Sequence, residues 1–211
     1  IGPKLAKDTV AASINGVLSD ASIPLTNDSD LNLYTGSTAE GHEVLLHSTA
    51  HLMAQAVKAL WPESQVTIGP AINNRFYYDF DIEGTFSNED LQKIENKMQQ
   101  IAKEDLQVTR KELSRNEAIK LFKDQGEKYK VEIIEQIDKT DKISAYTQGD
   151  FIDLCRGPHV PSTGRIKHFK LLSTSGAYWR GDESNKMLQR VYGTVFSTNK
   201  ELKDYLTFLE E

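Results

Sequence analysis

Apolar positions recur every three or four residues in four stretches of the chain, and this spacing predicts four helices. The first stretch is EVLLHSTAHLMAQAVKAL, which ends where Pro62 follows Trp61. The next two, SNEDLQKIENKMQQIAKED and SRNEAIKLFKDQG, each open on a serine with an acidic residue three positions later, the pattern of a capping box. The fourth helix is expected from TNKE to the last residue.

Short runs rich in β-branched and aromatic residues predict strands around these helices. ASINGVLSD predicts two strands joined at Asn15-Gly16, and LNLYT predicts a third. The later predicted strands are VTIGP, RFYYDFDI, KVEII, DFIDL, HFKLL, GAYWRG and LQRVYGTVF. TGSTAEGHE is rich in small polar residues and predicts a linker. Helices that are segregated from short, mostly antiparallel strands predict an α+β fold.

The composition indicates a globular core and excludes a membrane-spanning segment. The chain has 211 residues, of which 38% are hydrophobic and 27% charged, enough for one or two domains. It contains no run of eighteen apolar residues, so we expect no membrane partner. Its single cysteine, Cys155, rules out an internal disulfide and indicates a reducing, cytoplasmic compartment.

The charge is distributed unevenly along the chain. The net charge of −6 argues against polyanion binding by the chain as a whole. Between Arg156 and Arg190, however, seven Lys or Arg residues outnumber two acids, and Tyr178 and Trp179 lie among them. This run is compatible with a nucleic-acid-binding face and equally with a solvated strand surface.

Two short motifs contain residues that can bind a metal or activate water. HSTAH places His47 and His51 four positions apart, on one face of the first helix. CRGPH places Cys155 four positions before His159, and its proline excludes a continuous helix there. Three histidines and a cysteine suit tetrahedral zinc, but ordinary packing explains either motif alone. Because 103 residues separate the motifs, only the fold could bring them together in a cleft.

Several longer segments resemble the N-terminal region of bacterial threonyl-tRNA synthetases. They are HSTAHLMAQAVKALWP, IGPAINNRFYYDFD, GEKYKVEII and the run from DFIDLCRGPH to QRVYGT, so the resemblance covers nearly the whole chain. It implies that residues 1–36 are the second half of a β-grasp module and residues 37–197 an editing domain. That domain would have a mostly antiparallel sheet with packed helices and is shared in outline with alanyl-tRNA synthetases. Residues 198–211 would begin the linker helix to an aminoacylation domain that is absent here.

The resemblance implies post-transfer editing, in which the ester of a mischarged seryl-tRNA(Thr) is hydrolysed. Serine lacks one methyl group of threonine, and a methyl provides only about 1–3 kcal/mol of discrimination, so a second site must remove the errors. The expected partner is the acceptor end of tRNA(Thr) carrying serine. The parent enzyme would be a cytoplasmic, homodimeric threonine–tRNA ligase that uses ATP and zinc in the absent catalytic domain.

The resemblance also implies a role for each site residue. His47 is the first choice as general base, and Lys130 of KYKV would polarise the carbonyl or assist the leaving ribose hydroxyl. The other expected catalytic residues come from the two motifs and are His51, Cys155 and His159. We expect His47 and Lys130 in a solvated cleft, so that alanine at either position lowers hydrolysis by orders of magnitude and leaves folding nearly intact.

Two further residues are expected to bind the substrate, and one residue departs from the family pattern. Asp153 of DLC would hold the serine amino group or orient a neighbour, and Tyr78 of FYYD would line the substrate pocket. Arg75 stands before FYYD, where the family usually has glycine. Because glycine there often marks a positive φ or a close approach, the loop that enters the site is expected to differ locally.

No cofactor is expected in this chain, because Lys130 would supply the positive charge and repel a dication. Zinc held by His47, His51, Cys155 and His159 is the alternative, and it brings a rival function. That rival is a non-catalytic, zinc-stabilised module that positions the tRNA acceptor end. A free-standing deacylase acting in trans is a third interpretation, which the truncated front module and the unfinished last helix disfavour.

Overall fold

A computed structural model describes residues 2–211, in which helices pack on antiparallel sheets. The helices are α1 (Pro3–Asp8), α2 (Ala39–Leu60), α3 (Asn88–Glu104), α4 (Arg115–Asp124), α5 (Lys128–Gln136) and α6 (Asn199–Glu210). The strands are β1 (Thr9–Ile14), β2 (Val17–Ser19), β3 (Leu31–Thr35), β4 (Gln65–Val66), β5 (Ala71–Ile72), β6 (Arg75–Asp81), β7 (Val108–Leu113), β8 (Ile143–Gln148), β9 (Phe151–Leu154), β10 (His168–Tyr178) and β11 (Met187–Phe196). Short 3-10 helices lie at Thr163–Arg165 and Trp179–Gly181. The predicted α+β class is confirmed.

The N-terminal strands form a three-stranded antiparallel sheet in the order β2-β1-β3. The predicted turn between β1 and β2 is confirmed, since Asn15 and Gly16 have φ values of 51° and 80°. This left-handed conformation is the one that a two-residue hairpin requires. Val10 and Ala11 of β1 belong to the same apolar core as α2, so this sheet packs directly on the following part of the chain.

The largest sheet contains five antiparallel strands in the order β10-β11-β6-β4, and β5 also pairs with β6. The helix α2 begins after Thr38, whose side chain accepts the Gly41 N–H over 3.2 Å. Most residues of α2 are buried, because the helix packs against β6 and β11 on one side and against α3 on another. The core between helix and sheet is apolar and includes Leu45, Leu52, Met53, Phe76 and Phe80.

A third antiparallel sheet, in the order β7-β8-β9, carries the helices α4 and α5. The predicted capping box that opens α4 is confirmed, with the Glu117 N–H donating to Ser114 Oγ over 3.3 Å. This layer has its own small core, which includes Ala118, Phe122, Ile134, Ile143 and Ala145. The chain leaves β9 at Leu154 and enters the CRGPH motif directly.

Two predicted strands are only partly confirmed, because VTIGP lies in a strand only at Val66 and GAYWRG ends in the 3-10 helix Trp179–Gly181. Two further local predictions are wrong. KVEII, residues 130–134, lies in α5 and not in a strand. A short apolar run fits both periods, and the buried residues Lys130, Val131 and Ile134 recur here at helical spacing. The predicted linker TGSTAEGHE is partly helical, because α2 begins within it at Ala39. None of the helices formed by residues 2–211 combines the length and apolar character needed to cross a bilayer.

Candidate active site

The helix α2 presents two histidines to a common region, as predicted. His47 and His51 lie one turn apart, and their ring centroids are separated by 5.1 Å. Their neighbours Leu46 and Leu52 are buried in the main core, which fixes the rotation of the helix about its axis. The two imidazoles are thereby held on the face of α2 that meets the CRGPH segment.

The CRGPH motif follows β9 as an irregular segment. The backbone N–H of Cys155 donates to Ser144 O over 3.1 Å and so extends the strand pairing by one step. Gly157 has a φ of 75°, and a side chain at this position would overlap the Tyr146 hydroxyl, so glycine is required. The turn at Gly157 directs both Cys155 and His159 toward α2.

Four side chains from the two motifs meet at one point. Cys155 Sγ lies 2.9 Å from His47 Nε2 and 3.2 Å from His159 Nε2. The His51 ring completes the cluster, with its centroid 4.3 Å from that of His159. The ligand atoms of the four residues all lie within 4.8 Å of one another, so the group can hold a metal ion. The fold therefore assembles one shared site from two motifs that are distant in sequence.

A buried charged network adjoins this cluster. Asp153 is fully buried, and its carboxylate lies 2.5 Å from Lys130 Nζ and 3.2 Å from His51 Nδ1. The Tyr78 hydroxyl donates to Asp153 over 2.6 Å and accepts from Lys130 over 2.8 Å. The positive charge of Lys130 and the negative charge of Asp153 thus neutralise each other in the protein interior. The expectation of a solvated Lys130 is wrong, because only 2% of this residue is exposed.

Burial sets the protonation of the cluster. Desolvation lowers the pKa of His51 and the pKa of His159 well below the usual histidine value, and repulsion from neighbouring histidines adds to this. Desolvation also lowers the pKa of His47, against the opposing effect of Asp153. Burial raises the pKa of the Cys155 thiol to about 12. The imidazoles and the thiol are therefore neutral near pH 7, and the imidazoles can accept a proton.

A cavity of about 240 Å³ opens beside the cluster and the network. Its polar lining comes from both, namely His47, His51, Tyr78, Lys130 and Cys155. Its apolar lining includes Ile68, Gly69, Pro70, Ile133 and Leu154. Asp153 and His159 lie behind this lining, at 0% and 2% exposure. Two larger cavities, of about 590 Å³ near Gln55 and about 810 Å³ near Trp61, contain none of the seven predicted residues, so the smaller cavity is the candidate active site.

Sequence reasoning missed the residues that support His159. Ser48 Oγ lies 3.2 Å from His159 Nδ1 and accepts the Val160 N–H over 3.0 Å. The position of Ser48 inside HSTAH was a usable signal, because it lies three residues before His51 and therefore on the same helix face. Asp20 and Tyr146 also contact the His159 segment, but neither lies near a recognisable motif.

Acidic neighbours neutralise most of the basic run between residues 156 and 190. Five of its seven cations form ion pairs, which are Arg156–Asp141, Lys170–Glu95, Arg180–Glu132, Lys186–Asp81 and Arg190–Asp79. Of the three aromatic residues in the run, Phe169 and Trp179 are buried and only Tyr178 is exposed. This pairing favours a strand surface over an open polyanion-binding face.

Arg75 lies outside the lining of the candidate cavity. It is the first residue of β6, and its Nε donates to the Tyr205 hydroxyl of α6 over 3.1 Å. The left-handed residue of the preceding turn is Asn73, with a φ of 55°. The Arg75 side chain therefore contacts α6, away from the candidate site.

Comparisons with known proteins cover both motifs. Residues 143–192 match the family model described as the threonyl and alanyl tRNA synthetase second additional domain. The whole chain is 56% identical to the threonine–tRNA ligases of Carboxydothermus hydrogenoformans and Marinobacter nauticus, and 54% identical to that of Clostridioides difficile. The resemblance to bacterial threonyl-tRNA synthetases is confirmed. The chain spans about a third of the length of these relatives, 33% in each case.

The family model covers only part of the candidate site, whereas the full-length similarity covers all of it. Asp153, Cys155 and His159 lie inside the range that matches the second additional domain. The α2 histidines, Tyr78 and Lys130 lie outside that range but within the full-length similarity to threonyl-tRNA synthetases. The site is therefore larger than the segment that the family model matches.

Proposed function

We propose that this chain removes serine from mischarged tRNA(Thr) by hydrolysing the aminoacyl ester. The observation that carries the proposal is the cavity of about 240 Å³ that both His47 and Lys130 line. Ester hydrolysis needs a base for the attacking water and a donor for the developing oxyanion, and these two side chains supply both. The similarity to threonine–tRNA ligases supports a tRNA ester as the substrate.

In this proposal His47 is the general base. It is only partly buried and lines the cavity, whereas His51 and His159 are buried. Because desolvation lowers its pKa, the His47 ring is neutral and can take a proton from water. The water oxygen then attacks the carbonyl carbon, the acyl C–O bond breaks, and the proton passes to the leaving ribose oxygen.

Lys130 is the proposed donor to the carbonyl oxygen. An ammonium has three N–H donors, and Lys130 directs one of them to the Tyr78 hydroxyl while its charge is paired with the Asp153 carboxylate. In this proposal a further N–H of Lys130 donates to the carbonyl oxygen of the substrate, because Lys130 lines the cavity. Asp153 is fully buried, which favours its predicted role of orienting neighbours over a direct contact with the serine amino group. Tyr78 lines the cavity and keeps its predicted role in binding the substrate.

The remaining cluster residues hold the base in place in this proposal. Cys155 Sγ contacts His47 Nε2, and His159 and the Gly157 N–H contact the same sulfur. His51 is oriented by Asp153 in the same way that a carboxylate orients a catalytic histidine in other hydrolases. We therefore assign positioning roles to Cys155 and His159, and a role beside the attacking water to His51.

Three imidazoles and a thiol fit zinc in their chemistry, and bound zinc would polarise a carbonyl or activate water. Lys130 lines the same cavity as the cluster, supplies a positive charge of its own and would repel a dication. We therefore propose hydrolysis without a metal. The alternative is the non-catalytic, zinc-stabilised module that positions the tRNA acceptor end.

The size of the cavity supports a small acyl group as the substrate. Its volume of about 240 Å³ is smaller than that of most ligand pockets, which measure roughly 300–1,000 Å³. Serine is smaller than threonine by one methyl group, so steric exclusion can act against the correct product. In this proposal the extra methyl meets the cavity wall or displaces the attacking water.

A deacylation assay with seryl-tRNA(Thr) and threonyl-tRNA(Thr) side by side tests the proposal. We expect the chain to release serine much faster than threonine, at tRNA concentrations high enough to offset weak binding. Equal rates on both esters would leave only a nonspecific esterase, and bound zinc without any hydrolysis would favour the zinc-stabilised module. The assay therefore separates the proposed activity from a nonspecific esterase and, together with metal analysis, from the zinc-stabilised module.

The domain organisation belongs to the same proposal. Residues 37–197 would be the editing domain, residues 1–36 part of a β-grasp module, and residues 198–211 the start of a linker helix. The acceptor end of tRNA(Thr) carrying serine would be the partner. A complete enzyme of this kind would add threonine–tRNA ligation with ATP and zinc in a further domain, as a homodimer in the cytoplasm.

A further inference from the structure

A carboxylate from the N-terminal sheet reaches the candidate active site. Asp20 follows β2 directly, and only 8% of it is exposed. Its Oδ1 accepts the backbone N–H of His159 over 2.8 Å. The Tyr146 hydroxyl donates to the same carboxylate, 2.9 Å from Oδ2 and 3.1 Å from Oδ1.

Asp20 thus holds His159 from two sides. The hydrogen bond to the His159 N–H fixes the backbone of the CRGPH segment. The hydrogen bond from Tyr146 fixes a ring whose centroid lies 4.3 Å from that of the His159 imidazole. His159 in turn contacts Cys155, which contacts His47. The chain of contacts therefore runs from the N-terminal sheet to the proposed general base.

We propose that Asp20 is a positioning residue for the hydrolytic site, supplied by the N-terminal module. The inference rests on the proposed function, because it concerns the alignment of His47 through His159 and Cys155. Residues 37–197 would then form an incomplete site on their own. The editing centre would depend on a side chain from outside the predicted editing domain.

The physical case rests on the cost of a buried carboxylate and of an unpaired buried N–H. A carboxylate is stable in the interior only when donors satisfy it, and here the donors are the His159 N–H and the Tyr146 hydroxyl. Without Asp20, both donors would lose their acceptor and the segment would move to find others. Outer-shell partners of this kind hold reacting groups in their productive geometry.

Three variants of the full chain test the inference. Asp20→Ala removes the acceptor, whereas Asp20→Asn keeps an oxygen for the His159 N–H and offers an amide N–H to Tyr146. Glu95→Ala is the matched control, because Glu95 is also a buried carboxylate that accepts a backbone N–H, from Leu171 over 2.9 Å, and a side-chain donor. Glu95 does not line the candidate cavity. For each variant we would measure the melting temperature of the protein, and kcat and KM for the hydrolysis of seryl-tRNA(Thr).

We expect Asp20→Ala to lower kcat by about 10- to 100-fold with little change in KM, the range typical of outer-shell partners. Asp20→Asn should recover most of the wild-type kcat, and Glu95→Ala should keep it even if its melting temperature falls as much as that of Asp20→Ala. If Asp20→Ala and Glu95→Ala lose the same stability and also the same fraction of kcat, the inference is overturned.

A second readout does not depend on the proposed activity. Cys155 is the single cysteine of the chain, so its rate of alkylation by iodoacetamide reports on the CRGPH segment alone. We expect faster alkylation in Asp20→Ala, and wild-type rates in Asp20→Asn and Glu95→Ala. An unchanged rate in Asp20→Ala would show that Asp20 does not hold the segment. If the wild-type chain has no deacylase activity, the proposed function fails while alkylation still decides whether Asp20 holds the segment.

Discussion

The Lys130 ammonium lies 2.5 Å from Asp153 Oδ1, and the two side chains are only 3% and 0% exposed. The pair is therefore shielded from water, although Lys130 still reaches the candidate cavity. A buried pair of this kind depends on both partners, because either charge alone would be stranded in a medium of low dielectric. Lys130 consequently affects both the stability of the chain and its proposed chemistry.

Replacing Lys130 by methionine should destabilise the chain as well as abolish hydrolysis. The substitution leaves the Asp153 carboxylate buried without its cation, and breaking a buried pair in this way costs about 3–5 kcal/mol. Urea unfolding of the wild type and of Lys130→Met measures the change in the free energy of unfolding. This outcome differs from the expectation, drawn from the sequence, that the fold would be nearly unaffected.

The double variant Lys130→Met/Asp153→Asn provides the control for that experiment. Removing both charges takes away the stranded carboxylate, so we expect the double variant to be more stable than Lys130→Met while remaining inactive. The single variant Asp153→Asn completes the comparison. If the losses of unfolding free energy in the two single variants add up to the loss in the double variant, the two side chains do not interact, which would contradict the pairing. Hydrolysis that survives in the double variant would contradict the proposed role of Lys130.

Replacing His47 by alanine should abolish hydrolysis with little loss of stability. Its ring is partly exposed and faces a cavity, so truncation widens an existing space that water can fill. His42→Ala is a matched control on the same helix, because the His42 ring packs 5.1 Å from Phe196 and away from the cavity lining. Deacylation rates and melting temperatures of both variants check this, and full activity in a folded His47→Ala would contradict the assignment.

Replacing Gly69 by alanine should impair hydrolysis by moving Tyr78. A Cβ at position 69 would overlap the Tyr78 ring, whose hydroxyl bridges Lys130 and Asp153. The ring must shift to make room, and the ammonium then loses one of its two fixed partners. Gly2→Ala, where a Cβ meets no atom within 4 Å, is the control. Measured kcat values for seryl-tRNA(Thr) should fall for Gly69→Ala alone, and a wild-type rate there would argue against a requirement for the Tyr78 position.

The metal content of the active chain should be low. Because the Lys130 ammonium beside the cluster would repel a dication, we expect hydrolysis to proceed with zinc well below one equivalent and to survive treatment with chelators. Elemental analysis of the purified chain, followed by deacylation assays before and after chelation, measures both quantities. Stoichiometric zinc together with activity lost to chelators would reverse the assignment.

Most of the helices could be predicted because their signals lie within a few residues of one another. The capping boxes at Ser87, Ser114 and Thr198 each join a hydroxyl to a carboxylate three positions later, so local sequence suffices to locate a helix start. KVEII could not be assigned in this way, because a five-residue apolar run fits a strand as well as a helix. Only its packing against α4 selects the helix.

The sequence by itself determined that His47 and His51 lie together, because residues four apart share a helix face wherever that helix forms. Tertiary structure decided everything that depends on residues far apart in the chain. It placed Cys155 within 2.9 Å of His47, buried Lys130 against Asp153, and brought Asp20 to the His159 backbone. Burial and pairing depend on what surrounds a side chain in space, and no local pattern encodes those surroundings. The sequence therefore predicted a solvent-exposed Lys130, whereas only 2% of this residue is exposed in the folded chain.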